Sequence, residues 1–278
     1  MKNLLVHGTI RSASAPEHGI DYALALAASQ RARVSFLLSE VEPRSAPFAE
    51  PDNMQGGSEI VVRTSRREDI EQASRLLNAR ASEQDVWCEI LVSDAQGSVA
   101  TGAQLARHAR VRDLVVASVY GPLQYPRLDL IEAVLFRTGR PLVLVPTQAG
   151  PFRSRTVVIA WDASPAASRA LFDAMPLLAT AADVVVVTVL DDKELQPEES
   201  GEEVCRVLTQ RDIPARFEPI RDRAQDVGAT LLHAAARVEA DLLVMGGFAH
   251  AREREFLFGS ATRSLFRSGF PLPVLLSH

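Results

Sequence analysis

The feature that most constrains this chain is an alternation that occurs twice. Short apolar runs recur at residues 4–6, 34–38, 86–92, 114–118 and 142–145, and again at 157–161, 184–189, 215–220, 242–245 and 274–277. Between them, residues 16–31, 66–83, 98–110, 128–138, 165–179, 198–211 and 225–238 read as helices, Ile20, Leu24, Ala27 and Ala28 showing the apolar spacing. A further helix starts near Gly259. Runs such as 157–161, branched and apolar throughout, suit strands buried on both faces. The alternation therefore predicts an α/β fold of two tandem domains, each a five-stranded parallel sheet with helices on both faces. The boundaries fall at 1–147 and 155–278, joined by the Gly- and Pro-containing segment 147–155. Residues 42–65, with three prolines and the Gly56-Gly57 pair, read as a surface excursion, and Pro176 marks a kink or an end in its helix.

Composition narrows the function classes. A chain of 278 residues with 47% hydrophobic and 23% charged residues is globular and long enough for two domains. Its net charge of -5 and pI near 5.7 argue against nucleic acid as a partner. No apolar run approaches the roughly 18–20 residues of a spanning helix, and the N-terminus lacks a signal-peptide core, so no membrane partner and a cytoplasmic location are expected. Cys88 and Cys205 read as buried free thiols, and His18, His108 and His233 have no second ligand at metal spacing. GxSxG and GxxxxGK[ST] motifs are absent.

In parallel sheets of this kind ligands bind beyond the carboxyl ends of the strands, where strand order reverses. The residues after the first and fourth runs of each half are therefore the ones to weigh. In the second half the first run leads into Trp161-Asp162-Ala163-Ser164-Pro165. Asp162 is either a turn residue before a helix capped by Ser164 and opened by Pro165, or a carboxylate offered to a ligand. The fourth run leads into Met245, Gly246 and Gly247, where glycine permits positive φ and close approach. Gly259 and Ser260 open the next helix, whose unpaired N–H groups and partial positive charge suit an anion. His250, Arg252 and Arg254 lie between, as partners for that anion or as a solvated loop interspersed with Glu253 and Glu255.

The pattern Met245-Gly246, Ala249, Gly259-Ser260, ending in Pro273-Val274-Leu275-Leu276, resembles the nucleotide-binding signature of the universal stress protein family. Trp161-Asp162-Ala163-Ser164 with Ser168, Ala170 and Leu171 is similar to the family's first strand and helix. The resemblance covers the second half, and the first half looks like a diverged copy, as in tandem bacterial members. It implies a stress-response protein that binds ATP or another adenine nucleotide, which magnesium could accompany. It also implies that Asp162 contacts the nucleoside, that Thr188 and Val189 border the adenine, and that Gly246 lies against the ribose. Gly259, Ser260 and Ala261 then meet the phosphates, with Met245, Ala249, His250 and Arg252 alongside. Ala249 stands where the family has glycine; if positive φ is needed there, alanine costs about 1–2 kcal/mol, close to a tenfold loss of affinity.

In the first half Ser118 replaces Gly246, Thr9 replaces Asp162, and Arg127-Leu128 stand at Gly259-Ser260. That half is expected to bind no nucleotide and to pair with the second through residues 142–145 and 274–277, an internal pseudo-dimer; whether two chains form a homodimer is left open. Two other readings stand beside nucleotide binding. One is a nucleotide-free module of the same fold that recognises an unidentified protein partner. The other is an ATP hydrolase using Asp162 or His250, for which no dedicated base is present, so turnover no faster than background is expected.

Overall fold

Every apolar run becomes a strand, and all of them join one ten-stranded sheet. The computed structural model describes residues 1–10, 18–39, 57–95, 98–119, 127–190, 196–221, 226–247, 262, 264–266 and 269–278. In the first half β1 (Asn3–Thr9), β2 (Arg33–Ser39), β3 (Cys88–Val92), β4 (Leu114–Val119) and β5 (Leu142–Pro146) alternate with α1 (His18–Gln30), α2 (Gly57–Glu83), α3 (Ser98–Ala109) and α4 (Arg127–Thr138). In the second, β6 (Thr156–Ala160), β7 (Asp183–Val189), β8 (Ala215–Ile220), β9 (Leu242–Gly246) and β10 (Val274–Ser277) alternate with α5 (Pro165–Leu178), α6 (Gly201–Thr209) and α7 (Val227–Arg237). Thr262 and residues 264–266 are helical.

The strand order is β3-β2-β1-β4-β5-β10-β9-β6-β7-β8, so the two halves repeat one topology outward from the centre. All neighbours are parallel except β5 and β10, which pair antiparallel with Leu142 opposite Leu276. Successive strand residues therefore feed two apolar layers. One contains residues of α1, α2, α5 and α6, with Val6, Phe36, Val186 and Leu275 beneath them; the other contains residues of α3, α4 and α7, with Leu5, Leu144, Met245 and Leu276.

Small devices repeat along with the strands. Asp113, just before β4, accepts hydrogen bonds from the N–H groups of Lys2 and Asn3 (2.6 and 2.9 Å), and Asp241, just before β9, accepts from Arg155 and Thr156 (2.9 and 3.0 Å). Each aspartate thus clasps the start of the neighbouring strand. Four helix-to-strand turns, after α1, α2, α6 and α7, place Arg31, Asp85, Asp212 and Glu239 at positive φ (48, 54, 59 and 50°). In each, the residue that follows donates its N–H to the carbonyl five positions back, as Ile213 does to Leu208 and Ala240 to Ala235. These are Schellman turns built without glycine.

Two elements depart from the sequence expectation. α2 begins at Gly57, well before position 66, because no proline follows Pro51 to stop a helix. The stretch expected as one helix over 198–211 is split: Pro197–Glu199 is a 3-10 turn, and Ser200, in extended conformation, caps α6 by accepting from the Glu203 N–H. Pro176 lies inside α5 two positions before its end. Cys88 and Cys205 are only half-buried; burial raises both thiols, that of Cys205 to about 11 with Glu202 adding to the effect.

Candidate functional site

The strand order reverses at β6, which lies between β7 and β9, and the residues following these three strands share one end of the sheet. There the backbone leaves β6 at Trp161, whose N–H donates to the Val187 carbonyl at 2.8 Å. The Thr188 hydroxyl, almost fully buried, donates to the Trp161 carbonyl at 2.9 Å, and the indole N–H donates to the Glu199 carbonyl at 2.7 Å. The turn is thus tied to β7 and to the 3-10 turn at once. Asp162 accepts the Ser164 N–H at 2.9 Å through its carboxylate, Ser164 accepts the Ala167 N–H at 3.0 Å, and Pro165 opens α5. The turn reading of Asp162 is met, and the residue stands at the strand end. Ala163, between them, has φ 58°, a left-handed conformation that costs an L-residue about 1–2 kcal/mol.

At the end of β9 the two glycines do different things. A Cβ on Gly246 would lie 2.7 Å from Ala167 N and 2.8 Å from the Ala166 carbonyl carbon, backbone atoms in the first turn of α5. Gly246 is therefore required by the close passage of α5. A Cβ on Gly247 would meet only ordinary contacts at 3.5 Å, with Leu135 Cδ1, Leu276 Cβ and Ser277 O. Neither glycine has left-handed φ, so the expected sharp turn through positive φ at this pair is not what the backbone does. The Gly247 N–H donates to Ser277 O at 2.8 Å, and the buried Ser277 hydroxyl has no hydrogen-bond partner.

Asp162, Thr188, Val189, Met245 and Gly246 are thus brought to one end of three adjacent strands. Met245 belongs to the core, and Val189 is buried. Ala249, His250, Arg252, Arg254, Gly259, Ser260 and Ala261 lie outside the described residues. Beyond them the Ser264 hydroxyl donates to Asp226, which also caps α7 by accepting the Ala229 N–H at 3.0 Å. This link between the last helical residues and α7 was missed in the sequence, although an aspartate immediately before a helix is a visible capping signal. Past β8, an open groove of about 630 Å³ runs between that edge strand and α7, where Glu218 is paired with Arg216 and Arg237.

The corresponding strand end in the first half is packed differently. Ser118 occupies the position of Gly246, and its hydroxyl sits where a Cβ on Gly19 of α1 would be. Strand and helix have exchanged which of them carries the small residue. Nearby, His7, Leu105, Ser118 and Ile131 line a cavity of about 30 Å³, room for a water molecule or two, and His7 Nε2 lies 3.2 Å from Ser39 Oγ. Among the described residues no group of three or more His, Cys, Asp or Glu could hold a metal ion, and no helix is long and apolar enough to cross a membrane.

Residues 153–278 match the model of the Universal stress protein family. The second half of the chain is a universal stress protein domain. A universal stress protein from Archaeoglobus fulgidus DSM 4304 superimposes on 99% of this chain and 95% of its own, with a TM-score of 0.69 at 13% identity. A functionally unknown protein from Pseudomonas aeruginosa PAO1 covers 100% of this chain and 92% of its own, with a TM-score of 0.59, also at 13% identity. Likeness at that identity establishes a common fold, and it extends across the half that the family model does not reach. Among curated proteins no match is found.

Proposed function

We propose that this universal stress protein binds ATP or another adenine nucleotide at the carboxyl end of β6, β7 and β9, in the second half only, and acts through that occupancy in a cytoplasmic stress response. The observation that carries the reading is the convergence of Asp162, Thr188–Val189 and Gly246 where strand order reverses.

The residues present fit a nucleotide in specific ways. Asp162 brings a carboxylate to the crevice, suited to a ribose hydroxyl. The Thr188 hydroxyl is committed to Trp161, so the β7 end offers an adenine mainly apolar contact through Thr188 and Val189. Gly246 serves by letting the first turn of α5 approach β9, rather than by making room for ribose along its own Cβ direction. The phosphates fall to Gly259, Ser260 and Ala261 with His250 and Arg252, as the sequence pattern implies. Magnesium, which binds through one or two carboxylates together with phosphate oxygens, would arrive with the nucleotide. A bound nucleotide supplies negative charge and an aromatic base; the chain supplies donors, an apolar wall and the amino end of a helix. A single site per chain follows from the sequence of the first half, where Ser118, Thr9 and Arg127-Leu128 stand at the positions of Gly246, Asp162 and Gly259-Ser260.

Native mass spectrometry of the full chain with ATP tests this. Mass added for one nucleotide, lost in Gly259→Leu, is the expected result. An unchanged mass at millimolar nucleotide would overturn the reading.

A further inference from the structure

The sheet ends in two edge strands, and they are guarded differently. Among the described residues β3 pairs with β2 alone and β8 with β7 alone, so each leaves a row of backbone groups turned outward. We infer that two copies of this chain join through β3, antiparallel, into a closed dimer whose sheet runs on from one chain into the other. The inference goes beyond the nucleotide reading and does not rest on it.

Which groups face outward follows from the ladder, in which alternate residues of a strand turn to opposite sides. On β8 the carbonyls of Pro214 and Ile220 accept from Val184 and Leu190, so Ala215, Phe217 and Pro219 face out. Pro219 has no N–H to offer there. The strand also carries Arg216 and Glu218, paired with each other at 3.1 Å, and proline and charge are the usual guards of an exposed edge. On β3 the Trp87 carbonyl accepts from Val34 and the Ser93 N–H donates to Leu38, so Cys88, Ile90 and Val92 face out, each with both N–H and C=O. No proline or lysine interrupts this strand. Its charged residue, Glu89, is turned back over its own sheet, accepting from Ser35 Oγ at 2.5 Å and from Arg112 Nη2 at 2.8 Å.

The β3 edge is complementary to itself. With Ile90 on the two-fold axis, Ile90 of one copy faces Ile90 of the other, Cys88 faces Val92, and each outward N–H meets an outward C=O. Cys88 and Ile90 pack against the apolar layer beneath α1 and α2, and Val92 is 40% exposed, so the pairing carries that layer across the axis and covers Val92. The ends match in charge. At the amino end of β3 the exposed Arg33 guanidinium lies over the exposed Trp87 ring, 5.0 Å from its centroid, and at the carboxyl end stands the exposed Asp94. Antiparallel pairing turns the Arg33 of each copy toward the Asp94 of the other. The chain already contains such a seam, since β5 and β10, inner edges of two halves with one topology, also join antiparallel. Only β3 can pair with itself completely. Association therefore stops at two, with Pro219 on both outer edges.

Sedimentation equilibrium of the full chain, for the parent, Ile90→Pro and Ile90→Lys, tests this. Ile90→Pro removes an outward N–H that β2 does not use, and Ile90→Lys keeps the N–H but sets like charges opposite each other on the axis. The parent is expected at twice the mass of one chain and both variants at the mass of one. Facing residues of a hydrogen-bonded antiparallel pair have Cα atoms about 5.5 Å apart, within disulfide reach, so Val92→Cys treated with diamide should link two chains through Cys88. Adding Cys88→Ser should abolish the link. A parent of one chain's mass at high micromolar concentration overturns the inference, as does a parent that grows beyond two chains. A dimer that persists in both Ile90 variants, or a Val92→Cys protein that forms no link through Cys88, also overturns it.

Discussion

Gly246 and Gly247 are adjacent and chemically identical, yet only one of them is tightly constrained. Alanine at 246 forces a Cβ against the backbone of Ala166 and Ala167, which cannot rotate away, so Gly246→Ala should lose about 1–3 kcal/mol by overpacking. Alanine at 247 meets contacts at 3.5 Å with φ outside the left-handed region, so Gly247→Ala should be neutral or stabilise slightly through the unfolded chain. Urea midpoints of the two variants decide it, and equal losses would contradict the assignment. The first half offers a converse: Gly19→Ala pushes against the Ser118 side chain, and adding Ser118→Gly should rescue it, a coupling readable in a double-mutant cycle. None of this was legible in the sequence. The glycine pair was visible, but what fixes Gly246 is a helix turn distant along the chain, and no local pattern records that.

At the scale of single elements, the helix ends make the clearest test. Arg31, Asp85, Asp212 and Glu239 hold the left-handed position of their Schellman turns where glycine carries no steric penalty. Asp212→Gly is therefore expected to stabilise by about 0.5–1 kcal/mol, the penalty relieved less the added chain entropy. A lower denaturation midpoint would contradict it. The clasp at the start of β1 predicts a pH effect. Burial alone would raise the Asp113 carboxyl, but the Lys2 and Asn3 N–H groups, the amino terminus and Arg140 outweigh it and hold the group below its ordinary value. A carboxyl depressed in the folded state binds its proton less tightly there than in the unfolded chain. Its stabilisation is complete above the unfolded value, near 4, and is lost as pH falls below it. Between about pH 6 and about pH 3 the parent's urea midpoint should fall more steeply than that of Asp113→Asn, and parallel curves would sink the argument. The aspartates before β4 and β9 stand out in the sequence as Asp-Leu repeats; their role does not, since it depends on which strand starts beside them.

For the whole molecule, the alternation of runs and helices carried most of the fold. A parallel sheet buried on both faces demands apolar strands, and the inner runs meet that demand, whereas the edge strands β3 and β8 carry Glu89, Arg216 and Glu218. The pairing of 142–145 with 274–277 was also legible, because each run ends its half and would otherwise expose an edge. The start of α2 was not, since glycines and polar residues beside prolines look like loop from either side. The candidate site was legible only as a set of residues that fall at adjacent strand ends. The approach of Leu135 of α4 to Gly247 was not, because antiparallel pairing of the halves brings together residues that no periodicity connects. The central claim is that one chain, built of two copies of one topology, holds one nucleotide. Calorimetric titration of the full chain with ATP measures that number directly: saturation at one ATP per chain is predicted, and saturation at two, or no heat at millimolar ATP, would contradict it.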